Sequence, residues 1–164
     1  MIIGIDPGLT GGIAFKYADG EFDVHDMPVA AKLFGKGNQV DEDALVALME
    51  LAIISDGILL AVVEQVSAMP PIKGKVRVAG TVSSFNFGQG FGVIRGILAG
   101  LGIKRQYIIP AIWKKHFGLI GKEKDAARTK ARELFPKTVH LLNRKKDIGR
   151  ADAILIAEYG FRTL

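Results

Sequence analysis

Hydrophobic positions early in the chain fall in short runs bounded by turn residues. MIIGID predicts a strand that ends on a carboxylate, Asp6. GGIAFKYADG predicts a second strand closed by the ADG turn, and EFDVHDMP a third, stopped by Pro28. The short links between them predict an antiparallel meander. LFGKGNQ, with two glycines around a lysine, predicts a loop. Asp41 is placed to cap a helix over EDALVALMELAII, where Leu45, Leu48, Met49 and Ala52 make one stripe. ILLAVVEQ predicts a buried fourth strand, and it too ends on a carboxylate, Glu64.

SAMPPIKGKVRVAG has paired prolines and two glycines, so it predicts a loop. A glycine-studded helix over TVSSFNFGQGFGVIRGILAGLG follows, then a fifth strand at KRQYIIP. Pro110 starts a short helix, AIWKKHFG, that Gly118 ends. GKEKDAARTKARELF predicts an amphipathic helix stopped by Pro136. KTVHLLNRKKDIG is a basic connector, and RADAILIAEYGF predicts a last helix. Three strands, a helix, then strands alternating with helices predict an α/β fold on a mixed five-stranded sheet, an antiparallel meander plus parallel strands flanked by helices. No repeat or linker divides the chain, so residues 1–164 are expected to form a single domain.

Composition narrows the class. The chain is 49% hydrophobic, which excludes a disordered segment. The longest apolar stretch is broken by Asp56 and Gly57, so no membrane span is expected. There is no cysteine, which removes disulfides, thiolate nucleophiles and thiolate metal sites and fits a cytoplasmic protein. Charge is polarised: residues 1–100 carry a net −4 and residues 101–164 a net +9. A basic half of that size suits a surface facing a polyanion, or else a plain solvated face.

The candidate chemistry lies in the acids. Asp6 and Glu64 end two strands that this layout places side by side, and Asp152 opens the last helix. Carboxylates gathered from distant segments repel one another unless a cation sits between them. Hard oxygen ligands without His or Cys point to Mg2+, with Mn2+ able to substitute. Two such ions about 4 Å apart activate water and stabilise the leaving oxygen of a phosphodiester. The glycines after Asp6 are expected to let a nucleic-acid backbone come close. Three of the acids have a plainer alternative: turn chemistry for Asp6, dipole complementation for Asp152, and, for Asp147 five residues before it, an N-cap or a lysine partner, Lys145 or Lys146. Glu64 is costly to bury unpaired.

IIGIDPGLTGGIAF, VVEQV, GQGFGVIRGIL and GRADAILIAEYG resemble, in order and through nearly the whole chain, the RuvC family of Holliday junction resolvases. KKDIGRADAILIAEYG resembles its phage and RuvC-like branch, which would place the protein in a bacterial host cell. The resemblance implies a ribonuclease H-like fold, a homodimer and magnesium-dependent cutting of four-way DNA junctions. Asp6, Glu64 and Asp152 fall on the family's acids, and Asp147 is counted with them as a catalytic and metal-ligating residue. Two departures stand out. The familiar bacterial pattern has an acid or histidine three residues before the last Asp, where this chain has Gly149; Asp147 lies five before. Five helical residues turn by about 500°, so Asp147 and Asp152 diverge by about 140° on one helix, and Asp147 reaches the site from a non-helical approach or not at all. The family's wedge phenylalanine corresponds to Ser67, with Met69 or the MPP turn as substitutes.

Lys73, Lys75, Arg77, Lys114, Lys115, Lys122, Lys124, Arg144, Lys145 and Lys146 are candidate phosphate contacts, and Lys122 is a candidate to neutralise developing charge. Phe85, Phe87 and Phe91 are candidate dimer anchors, with core packing the alternative. Trp113 is expected in the core with one edge exposed. The expected activity is that of a crossover junction endodeoxyribonuclease. The alternatives are a related nuclease acting on other branched DNA or structured RNA, a phosphotransferase fragment of actin-like fold, and a catalytically inert DNA-binding module.

Overall fold

The computed structural model describes residues 1–57, 60–65, 67 and 81–163. In chain order the elements are β1 (Ile2–Asp6), β2 (Gly12–Lys16), β3 (Phe22–Asp26), β4 (Val29–Ala31), β5 (Asn38–Val40), α1 (Glu42–Asp56) and β6 (Leu60–Glu64). They are followed by α2 (Thr81–Gly100), β7 (Arg105–Ile108), α3 (Pro110–His116), α4 (Ala126–Leu134), a 3-10 helix (Pro136–Leu142) and α5 (Ile148–Thr163). The main sheet has the order β3-β2-β1-β6-β7. β1, β2 and β3 pair antiparallel, whereas β1, β6 and β7 run parallel. This is the expected mixed sheet. Asp41 caps α1 by accepting the Ala44 N–H at 3.0 Å.

Two local expectations give way. LFGKGNQ is the tip of a β4–β5 hairpin, closed by the Lys32 N–H on the Gly37 carbonyl, with Gly35 and Gly37 both at positive φ. Strands of three residues are too short for alternation to reveal them. The helix expected from Gly121 starts only at Ala126, because Gly121 takes φ 72°, outside the helical region. The basic connector contains the 3-10 helix, which buries Thr138 and Leu142.

Alternation along the central strands decides which side chain faces what. Ile3 and Ile5 of β1 and Ala61 and Val63 of β6 pack with Leu45, Met49, Ile94 and Leu98 of α1 and α2. Ile2, Leu60 and Val62 join the opposite core, with Trp113 of α3 and Ala151, Ala153, Ile154 and Ala157 of α5. By the same period of two, Gly4, Asp6 and Glu64 belong to the α5 side. Helix α5 lies against that side at backbone distance. A Cβ on Gly4 would sit 2.1 Å from the Ala153 carbonyl oxygen and 2.4 Å from the Ala157 nitrogen. Only glycine permits that approach, and it fixes the height of α5 above the strand ends.

Candidate active site

Three carboxylates meet where these elements converge. β1 and β6 are in register from Ile2–Leu60 to Ile5–Val63, so one step further Asp6 and Glu64 stand beside each other. Asp152, on the second turn of α5, comes to them from above the sheet. It lies beyond the first helical turn, so it does not serve the helix dipole. The Asp6 Oδ1 accepts the Gly8 N–H at 3.3 Å. The Glu64 Oε2 accepts the indole N–H of Trp113 at 2.8 Å. The Asp152 Oδ1 is buried without a hydrogen-bond partner among the described residues.

The electrostatics follow from that crowding. Burial, then the Glu64 charge, raise the Asp6 carboxyl to about 6 against the weaker pull of the Gly8 N–H and Lys114. Burial, then Asp6, raise Asp152 to about 7, with Glu64 adding to the rise and Lys114 and Lys124 opposing it. Burial also raises Glu64, against the Trp113 hydrogen bond and Lys114. Among the described residues Lys114 is therefore the one cation that acts on all three acids. Its ammonium lies 5.0 Å from the Trp113 ring centroid.

Such a set fits a divalent cation. An orphaned oxygen on Asp152, three carboxyls held above their ordinary pKa, and oxygen-only donors are the chemistry of a magnesium or manganese site. Among the described residues no three His, Cys, Asp or Glu side chains are already closed into one coordination sphere. Asp6, Glu64 and Asp152 thus feel one another as charges without yet sharing a common point.

Asp147 is not brought to this group. Its carbonyl accepts the Ala151 N–H and so opens α5, but its side chain turns back along the chain. Oδ2 accepts the Arg144 N–H at 2.6 Å and Oδ1 the Arg144 Nε at 2.7 Å, and the carboxylate is buried. Arg144 also forks onto both oxygens of Asp26 on β3, where Arg150 Nε lies 2.6 Å from Oδ1 and Lys146 3.8 Å from Oδ2. The two acids and their cations tie the basic connector to the sheet edge. The chain between Asp147 and Asp152 explains the departure at Gly149. A Cβ there would lie 2.3 Å from the Thr10 carbonyl oxygen and 2.6 Å from the Gly11 Cα. Gly11 and Gly149 form a bridge at this contact. A Cβ on Gly12 would lie 2.9 Å from the Arg150 Cα of α5, whereas one on Gly11 would strike the Asp6 carbonyl oxygen at 2.2 Å, within its own turn.

The remaining candidates divide. Lys115, Lys122, Lys124 and Lys145 are exposed. Arg144 and Lys146 are exposed too but already face Asp26. Lys73, Lys75 and Arg77, with Met69 and the MPP turn, lie outside the described residues. Ser67 is exposed. Phe85 and Phe87 are exposed on α2, whereas Phe91 is buried edge-on against Tyr107 and is a core residue. Trp113 has no exposed edge: it is 0% exposed, and its N–H serves Glu64. The signal for that role is a general one, since a buried indole N–H needs an acceptor.

Comparison with known proteins agrees with this geometry. No protein-family model matches the chain. Over 93 residues, 56% of the chain, it is 39% identical to the chloroplastic Holliday junction resolvase MOC1 of Chlamydomonas reinhardtii, and the match spans about a tenth of that protein's length. RuvC of T. thermophilus in complex with a Holliday junction substrate superposes with a TM-score of 0.52 at 14% identity, covering 95% of this chain and 89% of that one. A second Thermus thermophilus RuvC structure gives 0.51 at 12% identity, covering 98% and 94%. The chain has the RuvC fold, and over half its length it is similar in sequence to a Holliday junction resolvase.

Proposed function

We propose that this protein is a divalent-metal-dependent endonuclease that resolves four-way DNA junctions. The observation that carries this is the convergence of Asp6, Glu64 and Asp152 from two adjacent strand ends and a helix, with the Asp152 Oδ1 left without a partner. When bound, Mg2+ or Mn2+, two ions per site, supplies Lewis-acid activation of water and stabilisation of the leaving oxygen. The residues that hold it are the three carboxylates. Lys114, which already acts on all three acids, balances charge as the phosphodiester breaks. Lys115, Lys122 and Lys124 offer the phosphate contacts that orient the strand without reading its sequence. Asp147 remains with Arg144 as an anchor of the connector.

Paired cuts on opposite strands call for two such sites, which an isologous homodimer supplies. Support for this comes from α2. Gly88, Gly92, Gly96 and Gly100 recur at four-residue spacing, a Cβ on any of them would meet nothing within 4 Å, and Phe85 and Phe87 stand exposed on the same helix. Among the described residues no helix is long and apolar enough to cross a membrane.

The test is to incubate the purified chain with four-way, forked and linear DNA, with and without Mg2+. Paired nicks in the four-way substrate that need the ion are expected. Equal cutting of all three substrates, or cutting that survives chelation and the Asp6→Asn change, overturns the proposal.

A further inference from the structure

We propose that Trp113 is a positioning residue for the carboxylate site: its indole N–H pins one oxygen of Glu64 while its ring seats the Lys114 ammonium. The inference rests on the metal-dependent nuclease proposed above. The geometry starts from the sheet. Glu64 is paired with Ile108 at the end of β7, and the next residue, Gln65, donates its N–H to the Ile108 carbonyl at 2.7 Å. Pro110 starts α3 two residues later, so the register of β6 on β7 sets where Trp113 lies relative to Glu64.

Trp113 is fully buried and held by both its polar tip and its face. The N–H reaches the Glu64 Oε2 at 2.8 Å, and the Lys114 Nζ is 5.0 Å from the ring centroid. A phenylalanine would fill much of the same space but would leave that carboxylate oxygen without a donor. Glutamate has three rotatable bonds, and a free Glu64 would lose their entropy each time it took up a ligand. Pinned through Oε2, it has one fixed orientation and offers Oε1 to a cation. The side chain that holds the ligand also carries the site's shared positive charge, so one rigid indole relates the two.

Trp113 is the only tryptophan in the chain, so biosynthetic replacement of tryptophan by benzothienylalanine changes this site alone. That analogue keeps the bicyclic shape and puts sulfur where the N–H was. Mn2+ binding, read from the paramagnetic resonance of the free ion, is expected to weaken about tenfold, as loss of a hydrogen bond to a metal ligand does. The Mg2+ midpoint for junction cleavage should rise by a similar factor, with the rate at saturating Mg2+ less affected. A tryptophan that only packs would move neither. Native and analogue proteins that bind Mn2+ equally, while the native one cuts junctions, overturn this inference and leave the nuclease assignment standing. Native protein that neither binds Mn2+ nor cuts overturns both. If the analogue protein does not fold, the native chain supplies the test. Mg2+ should shift Trp113 fluorescence, and Glu64→Gln should remove the shift; constant emission at saturating Mg2+ overturns the inference.

Discussion

Two sets of carboxylates meet the first turns of α5 under opposite electrostatic conditions. Asp6, Glu64 and Asp152 are crowded together and all are raised, with Lys114 the cation they share. Asp26 and Asp147 are clasped by Arg144 and Arg150, and their hydrogen bonds hold Asp26 below the usual carboxylate range against the opposing effect of burial. The first set is costly to the bare fold and gains from an added cation. The second already contains its cations and gains nothing. Only four residues of chain separate Asp147 from Asp152, yet what the neighbouring backbone allows each to reach sets them in opposite surroundings.

The largest effect that tests this contrast is on catalysis. Asp6→Asn and Asp152→Asn should each slow junction cleavage at least about a hundredfold, while DNA binding persists. Asp147→Asn should stay within a few-fold of wild type. Single-turnover cleavage of a four-way substrate measures all three, and an Asp147 variant as inactive as Asp152→Asn would merge the two sets into one.

Stability should sort the same substitutions in reverse. Asp147→Asn loses charge-assisted hydrogen bonds, a cost of about 2 kcal/mol, or ~5 °C in melting temperature for a chain of this size. Asp152→Asn removes a repelling carboxylate and should raise the melting temperature of metal-free protein near neutral pH. Thermal melts in chelator and in Mg2+ decide between these signs.

A smaller effect is the pH dependence. Asp6 and Asp152 titrate near 6 and 7 in the fold, against about 4 in an unfolded chain. The folded protein therefore keeps protons that the unfolded chain releases across that window. The stability from these groups is complete below about pH 4 and is lost as pH rises through about 7. Asp26 acts the other way, since its lowered pKa gives stability that is lost only as pH falls into the acid range. Metal-free unfolding followed from pH 5 to 8 should show falling stability, and Mg2+ or Asp152→Asn should flatten the curve. A curve that rises over this range would remove the charge crowding at the first site.

The smallest effect concerns DNA. Asp26→Asn should loosen Arg144, Arg150 and Lys146 and make them available to phosphate. The slope of log affinity against log salt should steepen by roughly 0.9 for each cation that engages. An unchanged slope would mean that the clasp holds without Asp26 or that these cations face away from the junction.

The sheet was legible because a short apolar run bounded by turn residues is a direct physical signal: β1 and β6 each carry apolar residues to both faces and finish on an acid. The Asp41 cap and the stripe of α1 followed from local rules in the same way. What escaped was set by tertiary contact. Local pattern does not show that Gly12 meets the backbone of α5 or that Gly11 folds against the Asp6 carbonyl. Phe91 shares a helix with two exposed phenylalanines, and only the position of Tyr107 shows that it faces inward. For Asp147 the sequence offered an N-cap or a lysine partner; in the fold its partner is Arg144, which also forks onto Asp26.

The Gly11–Gly149 contact also has a consequence for substitution. A side chain at position 149 would collide with the backbone of the loop that follows Asp6. Any side chain there, a carboxylate included, costs stability unless that backbone gives way. A residue larger than glycine at 149 therefore needs the loop at 10–11 to shift with it, so substitutions at the two places are energetically coupled.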